Sequence, residues 1–217
     1  MTRTLIIDLD GPILDGKLRH YQCYSDILRE NGFIPMGIDE YWGMKRVRAD
    51  RHKQLAKSGA DEMYDKFLEL WMERIEEKKY LEMDILQAGA VQKMQEWKSS
   101  GLRLSLVTMR NNRKNLFWQL TTLGLLPLFD DVIIVGNNDG DGSGKADAVR
   151  TLALETGSNA LLWIGDTEVD IKAARLAGVR ICAVSCGLRS ADYLATLKPD
   201  FIVPDLNTVN FSKMRLL

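Results

Sequence analysis

The sequence has few cysteines, and their arrangement fits neither a zinc site nor a disulfide framework. Cys23, Cys182 and Cys186 are an odd number, and their spacing matches neither kind of site. The two histidines also have no partners at metal-ligand spacing in the sequence. We therefore expect buried thiols without a redox role.

The sequence also lacks an excess of positive or negative charge, and it lacks long apolar runs. Twenty-nine Lys and Arg residues balance thirty Asp and Glu residues, and the formal net charge of -1 gives no electrostatic basis for binding nucleic acid or an anionic membrane. No stretch approaches the roughly 18 apolar residues of a membrane span, and Asp8 and Asp10 interrupt the first apolar run too early for a signal peptide. We expect a cytoplasmic monomer or homodimer that binds neither nucleic acid nor membranes.

The first informative feature of the sequence is a short apolar run at residues 4–7, and Asp8-Leu9-Asp10-Gly11 follows it directly. A mostly β-branched run of this length predicts a strand that is buried on both faces. The carboxylates of Asp8 and Asp10 would then lie at the carboxyl end of the strand, where open α/β sheets place their chemistry. A single aspartate after a strand is commonly a turn former, so this pair alone leaves a structural role open.

The rest of the chain divides into two regions of different hydrophobic pattern. Residues 17–87 carry apolar side chains that recur every three or four positions, with charged residues between them, which predicts helices and turns, including one helical stretch around residues 40–55. From residue 88 onward, predicted strands alternate with predicted helices. The predicted strands lie at residues 102–107, 132–135, 160–164, 180–184 and 201–203. Helices between strands imply right-handed βαβ units and a parallel sheet.

We therefore predict an α/β fold with an inserted helical domain. The core, residues 1–16 and 88–217, would be a parallel sheet flanked by helices. The inserted segment, residues 17–87, is too long for a simple crossover between the first two strands, and we predict that it forms a separate α-helical cap domain.

Polar residues recur where the predicted strands end. The strand at residues 102–107 is followed by Thr108, and the strand at residues 160–164 is followed by Gly165 and Asp166, with Asp170 four residues further on. A lone aspartate at a helix start is commonly an N-cap. Together with the first pair, however, four carboxylates would converge on one edge of the sheet and repel each other unless a divalent cation lay among them. All-oxygen ligands suit Mg²⁺.

Lys145 opens a predicted helix, where the positive helix end makes a neighbouring anion the best explanation for a lysine. With this residue, the pattern resembles the haloacid dehalogenase (HAD) superfamily, in its phosphoglycolate phosphatase-like branch with a helical C1-type cap. The matching pieces are Asp8-Leu9-Asp10-Gly11 with Asp15 beyond it, Val107-Thr108, Lys145 and Gly165-Asp166-Thr167-Glu168-Val169-Asp170. The chain departs from the usual family pattern at Pro12 and Ala146, which carry no chemistry. The resemblance implies a Rossmann-like core of the HAD type.

The resemblance also implies phosphoryl transfer through an aspartyl-phosphate. Asp8 would be the nucleophile, while Asp10 would protonate the leaving oxygen and then activate water. Mg²⁺ would be held by Asp8, the backbone carbonyl of Asp10 and Asp166, with Asp170 orienting the metal site or the lysine. The implied catalytic residues are Asp8, Asp10, Thr108 and Lys145, and the implied metal site comprises Asp8, Asp10, Asp166 and Asp170.

Substrate binding would involve two groups of residues. Thr108 and Lys145 would contact the transferring phosphoryl oxygens. In the cap, residues 43–53 contain five basic residues and one acidic residue, a local charge of +4. Such a run is commonly a solvated helix face. We expect instead that Arg46 or Arg48, with Lys45 as the next candidate, binds a second anionic or polar group of the substrate.

The sequence thus predicts a Mg²⁺-dependent phosphatase for a small phosphorylated metabolite, with phosphoglycolate as the leading candidate by resemblance. A β-phosphoglucomutase-like hexose-phosphate mutase is an alternative, since it retains both aspartates and the same cap. A non-catalytic binding module is a further alternative, because a fold alone does not establish activity. Product analysis separates the first two, since a hydrolase releases inorganic phosphate and a mutase forms an isomeric sugar phosphate.

Overall fold

The computed structural model describes residues 3–136 and 140–216, which form two compact units. The core unit consists of Met1–Asp15 and Leu86–Leu217, and the helical unit is Gly16–Ile85. The helical unit therefore starts one residue earlier and ends two residues earlier than the cap domain expected from the sequence. Within the described ranges, none of the helices combines the length and the hydropathy that crossing a membrane requires.

The core unit is built on a parallel sheet of six strands. In chain order, the strands of the described chain are β1 (Arg3–Ile7), β2 (Leu14–Asp15), β3 (Ile85–Leu86), β4 (Arg103–Thr108), β5 (Asp131–Ile134), β6 (Asn159–Gly165), β7 (Ile181–Val184) and β8 (Phe201–Val203). Six of these strands form the parallel sheet, in the order β5-β4-β1-β6-β7-β8, and each neighbouring pair is parallel. The predicted α/β class with a parallel sheet is confirmed.

Helices make up the second unit and flank the sheet of the first. The α-helices of the described chain are α1 (Lys17–Glu30), α2 (Ile38–Arg46), α3 (Arg51–Ala56), α4 (Tyr64–Arg74), α5 (Lys78–Leu81), α6 (Ala90–Ser99), α7 (Arg113–Thr122), α8 (Ser143–Thr156), α9 (Glu168–Ala177) and α10 (Ala191–Thr196). Single turns of 3-10 helix span Asp61–Met63, Leu126–Leu128 and Leu206–Thr208. Helices α1 to α5 form the helical unit, and α6 to α10 belong to the core unit.

Strand β1 is buried on both faces, as its apolar sequence predicts. Leu5 and Ile7 pack in one hydrophobic cluster with Met94 of α6, whereas Ile6 packs in another with Ile171 of α9. Successive side chains of a strand point to opposite faces, so helices cover the sheet on both sides. The carboxyl end of β1 consequently lies between those of β4 and β6, where the strand order reverses and open α/β sheets bind their ligands.

The helical unit differs from the sequence prediction at residues 40–55. The sequence predicts one helical stretch there, but the structure divides it into α2 and α3. Arg48 has a positive φ of 53°, which ends regular helix geometry. The Asp50 side chain then accepts a hydrogen bond from the amide of His52 and caps α3.

Candidate active site

The end of β1 and the start of α8 meet through a buried ion pair. Asp8 follows β1 directly, and its amide donates a hydrogen bond to the carbonyl of Ile164 in β6 at 3.0 Å. In the first turn of α8, Lys145 places its Nζ atom 2.9 Å from Oδ1 of Asp8 and 2.8 Å from Oδ1 of Asp170. All three side chains are buried. One lysine therefore bridges two carboxylates from different elements.

Asp166 lies in a close-fitting cradle after β6. Its side chain is fully buried, and Oδ2 accepts a hydrogen bond from the amide of Leu188. Oδ1 is also buried and has no hydrogen-bond partner among the described residues. Gly11 and Gly187 form walls of the cradle, because a Cβ atom at either position would lie 2.2 Å or 2.1 Å from atoms of Asp166. A buried carboxylate oxygen without a partner is costly in free energy unless a ligand satisfies it.

Three carboxylates form a group that could hold a cation. Oxygen atoms of Asp8, Asp166 and Asp170 all lie within 4.8 Å of one another. Burial raises the pKa of Asp8 to about 7; Lys145 opposes this shift, and Asp170 adds to it. Burial, Asp170 and Asp8 raise the pKa of Asp166 well above its usual range. A divalent cation would offset the cost of ionising these groups, and the oxygen-only ligands fit Mg²⁺.

Asp170 has a capping role as well as a place in this group. The amide and the hydroxyl of Thr167 donate hydrogen bonds to Oδ2 of Asp170 at 3.2 Å and 2.7 Å, forming a capping box at the start of α9. Oδ1 accepts a hydrogen bond from Lys145. Both oxygens of Asp170 thus accept hydrogen bonds from protein groups, and the contact with Oδ1 orients Lys145.

Asp10 is engaged by a residue that the sequence did not single out. Nε of Arg110 lies 2.7 Å from Oδ2 of Asp10, and its Nη2 atom lies 2.7 Å from Oδ1, a bidentate pair. The amide of Arg110 donates a hydrogen bond to Oγ1 of Thr108, the last residue of β4, at 3.3 Å. The carboxylate of Asp10 is outside the group of three described above. The one sequence signal that could have identified Arg110 is its position as a basic residue two positions after the end of a strand.

The loop after β7 also contributes to the site without having been predicted. Leu188 donates its amide to Asp166, and the next residue, Arg189, forms a bidentate ion pair with Glu168 at 2.8 Å for both contacts. These contacts join the loop to the first turn of α9. Cys186 in the same loop is half-buried, less than expected, and burial raises its pKa to about 12. Its thiol therefore stays protonated near neutral pH.

The candidate cap residues belong to the helical unit. Lys45 is buried, and its Nζ atom lies 5.0 Å from the centre of the Trp71 ring and 5.8 Å from that of Tyr41 in the same unit. Arg46, the last residue of α2, is half-buried. Arg48 is exposed. Within the unit, the three basic side chains thus have different environments.

Comparisons with known proteins give the family and agree with this fold. The family model described as haloacid dehalogenase-like hydrolase matches residues 2–178. The phosphoglycolate phosphatase of Cereibacter sphaeroides (strain ATCC 17025 / ATH 2.4.3) is 26% identical over 198 residues, covering 86% of this chain and 87% of that protein. The phosphoglycolate phosphatase of Aquifex aeolicus (strain VF5) is 28% identical over 188 residues, covering 82% of each chain. A haloacid dehalogenase-like family hydrolase from Streptococcus pneumoniae has a similar fold, with a TM-score of 0.73, 19% identity and 95% coverage of both chains.

Proposed function

The chain belongs to the haloacid dehalogenase-like hydrolase family and is a phosphoric monoester hydrolase, and we propose that its substrate is a small phosphorylated metabolite of the phosphoglycolate type. The observation that carries the proposal is the buried contact of Asp8 with Lys145, beside an Asp166 oxygen that lacks a partner among the described residues. The curated relatives that are phosphoglycolate phosphatases support the choice of substrate class.

Asp8 is the proposed nucleophile. One of its carboxylate oxygens would form a bond to phosphorus while the bond from phosphorus to the leaving oxygen breaks, giving an aspartyl-phosphate. Asp10 would donate a proton to that leaving oxygen, so that the product departs as a neutral alcohol. In the second step, Asp10 would take a proton from water as the water oxygen attacks phosphorus. Inorganic phosphate then leaves, and the carboxylate of Asp8 is restored.

Lys145 and Thr108 would bind the transferring group. The ammonium of Lys145 lies beside Asp8, where it can contact the oxygens that carry negative charge as the phosphoryl group moves. The hydroxyl of Thr108 lies at the end of β4, next to β1, and can donate a hydrogen bond to another of these oxygens. Asp170 would hold the lysine in place through the contact at 2.8 Å.

The described residues fit a magnesium ion. Asp8, Asp166 and the backbone carbonyl of Asp10 would hold it, and the Oδ1 atom of Asp166 is the buried oxygen that such a ligand would satisfy. When bound, Mg²⁺ neutralises charge on the nucleophile and polarises the phosphoryl oxygens. Leu188 and the two glycines would fix the orientation of Asp166 for this purpose.

Specificity is proposed to come from the helical unit acting as a cap. Arg46, Arg48 and Lys45 carry the positive charge that would attract a second anionic group of the substrate, such as a carboxylate. Binding energy from this contact would orient the substrate for transfer at Asp8.

A panel of small phosphorylated metabolites tests the proposed function. With Mg²⁺ present, we expect inorganic phosphate to accumulate from at least one phosphorylated carboxylic acid, and the Asp8→Asn variant to release none. Accumulation of an isomeric sugar phosphate without inorganic phosphate would instead identify a mutase. No turnover of any phosphate ester by the wild-type protein would contradict both assignments.

A further inference from the structure

The bidentate pair between Arg110 and Asp10 joins two neighbouring strand ends. Asp10 follows β1, Arg110 follows β4, and the two strands are paired in parallel, with Ile7 opposite Leu106. The Arg110 side chain is 5% exposed and that of Asp10 is 32% exposed. A buried cation thus holds a partly exposed carboxylate, and the sheet fixes the separation of the two backbones.

The geometry of this pair restricts the orientation of the carboxylate. A planar guanidinium that contacts both oxygens at 2.7 Å fixes the plane of the carboxylate as well as its position. An ammonium group at the same place would be a point charge without the planar pair of N–H donors that matches both oxygens. Asp10 lies on a loop after a strand, and the two contacts with the guanidinium restrict both torsions of its side chain.

We propose that Arg110 is a positioning residue that acts through Asp10, holding its carboxylate where it can exchange a proton with the leaving oxygen and then with water. This inference rests on the proposed function, since it takes Asp10 as the acid and base of that reaction. Small displacements of a catalytic group can lower a rate by about 100-fold. We therefore expect Arg110→Met to lower kcat/KM on an alkyl phosphate by about 10- to 100-fold.

Leaving-group dependence separates this role from direct binding of the phosphoryl group. The alkoxide of an alkyl phosphate needs a proton as it departs, whereas p-nitrophenolate does not. If Arg110 acts through Asp10, both Asp10→Asn and Arg110→Met should lower kcat/KM on the alkyl phosphate and change it by less than about threefold on p-nitrophenyl phosphate. If Arg110 binds the phosphoryl group, its loss should lower kcat/KM equally on both substrates, and the positioning role is then wrong.

A double-mutant cycle provides the second readout. In the Asp10→Asn background, we expect Arg110→Met to lower kcat/KM on the alkyl phosphate by less than about threefold further, because residues that act as a unit are not additive. Arg110→Lys keeps the positive charge but loses the bidentate guanidinium contact, and its kcat/KM on the alkyl phosphate should lie between those of the wild type and Arg110→Met. It also completes the cycle if the methionine variant does not fold.

The matched control is Arg103→Met. Arg103 also forms a bidentate pair, with Asp131, and it lies at the opposite end of β4, so its loss should leave the leaving-group dependence unchanged. Full additivity of Arg110→Met and Asp10→Asn would overturn the inference while the proposed function stands. If Asp10→Asn kept the wild-type kcat/KM on the alkyl phosphate, Asp10 would not be the acid of the proposed function, and the inference about Arg110 would be wrong as well.

Discussion

The Nζ atom of Lys145 lies 2.9 Å from Oδ1 of Asp8, and both side chains are buried. Burial alone favours the neutral carboxylic acid, which is a poor nucleophile. The neighbouring ammonium favours the carboxylate, and Asp170 in turn favours the ammonium. The contact with Lys145 therefore opposes the effect of burial, although the pKa of Asp8 still rises to about 7, and the predictions below depend on this pair.

Replacement of Asp8 by asparagine should abolish turnover and leave the fold intact. The change preserves shape and relieves repulsion from Asp170, so we expect an unchanged or higher melting temperature. We expect activity to fall to less than about a hundredth of wild type, since loss of a nucleophile costs several kcal/mol of transition-state stabilisation. Asp192→Asn, an exposed aspartate of α10, is the control. Activity of Asp8→Asn above that level would rule out the nucleophile.

Activity should require Mg²⁺ and disappear on chelation. The carboxylates of Asp8, Asp166 and Asp170 lie together with one lysine between two of them, so a cation is needed to balance their charge. Rates measured in EDTA, and again after Mg²⁺ is added in excess, test this requirement. Full activity in EDTA with metal-free buffers would refute it.

The stability of the metal-free protein should fall as the pH rises from about 4 to about 7. Burial raises the pKa of Asp8 from 3.8 to about 7, so in this window the native state keeps a proton that the unfolded chain releases. The free energy of unfolding then decreases with pH. Asp166, whose pKa is also raised, adds to the effect. Mg²⁺ should restore the lost stability at pH 8 more than at pH 5.

Thermal unfolding in EDTA at pH 5 and pH 8, with and without Mg²⁺, measures this linkage. Asp8→Asn removes one of the titrating groups and should show a smaller decrease in melting temperature between the two pH values. Equal melting temperatures for the metal-free wild type at both pH values would contradict the raised pKa of these carboxylates.

A methyl group at residue 187 should weaken metal binding. In Gly187→Ala, the new Cβ atom would lie 2.1 Å from Oδ2 of Asp166, which must move. Residues that orient a metal ligand typically affect metal affinity by 10- to 100-fold, so we expect the Mg²⁺ concentration for half-maximal activity to rise by about 10-fold or more. Gly37→Ala, where the added atom meets open space, is the control. An unchanged Mg²⁺ requirement in Gly187→Ala would contradict the role of the cradle.

The basic residues of the helical unit should affect the natural substrate selectively. We expect Arg46→Ala or Arg48→Ala to lower kcat/KM by roughly 10- to 100-fold on the best metabolite, and to have little effect on p-nitrophenyl phosphate, which lacks the second anionic group. Lys45→Ala is the next variant to compare, and Lys53→Ala, an exposed lysine of the same run, is the control. Equal losses on both compounds, or none on the metabolite, would indicate a solvated helix face.

Much of the core could be predicted because its signals are local. Apolar runs that end at Asp8, Thr108 and Gly165 identify strands whose carboxyl ends share one edge of the sheet. The helical unit was less predictable, because no Gly or Pro marks the turn that separates α2 from α3. Only the left-handed backbone of Arg48 and the cap at Asp50 interrupt the helix there.

The unpredicted parts of the site depend on contacts between distant residues. Arg110 is 100 residues from Asp10 in sequence, and Arg189 is 21 residues from Glu168. Neither arginine belongs to a sequence motif from which its carboxylate partner could be predicted. Their roles follow only when the sheet brings the ends of β1 and β4 together, and when the loop after β7 reaches α9.

The most direct test of the account is to locate the phosphoryl group during turnover. Wild-type protein that is hydrolysing its best metabolite with Mg²⁺ is quenched in acid, and peptide mass spectrometry then identifies the modified residue. We predict a phosphoryl group on Asp8 that hydroxylamine removes, and none in Asp8→Asn. A phosphoryl group on another residue, or rapid turnover with no labelled protein at any quench time, would contradict the proposed mechanism.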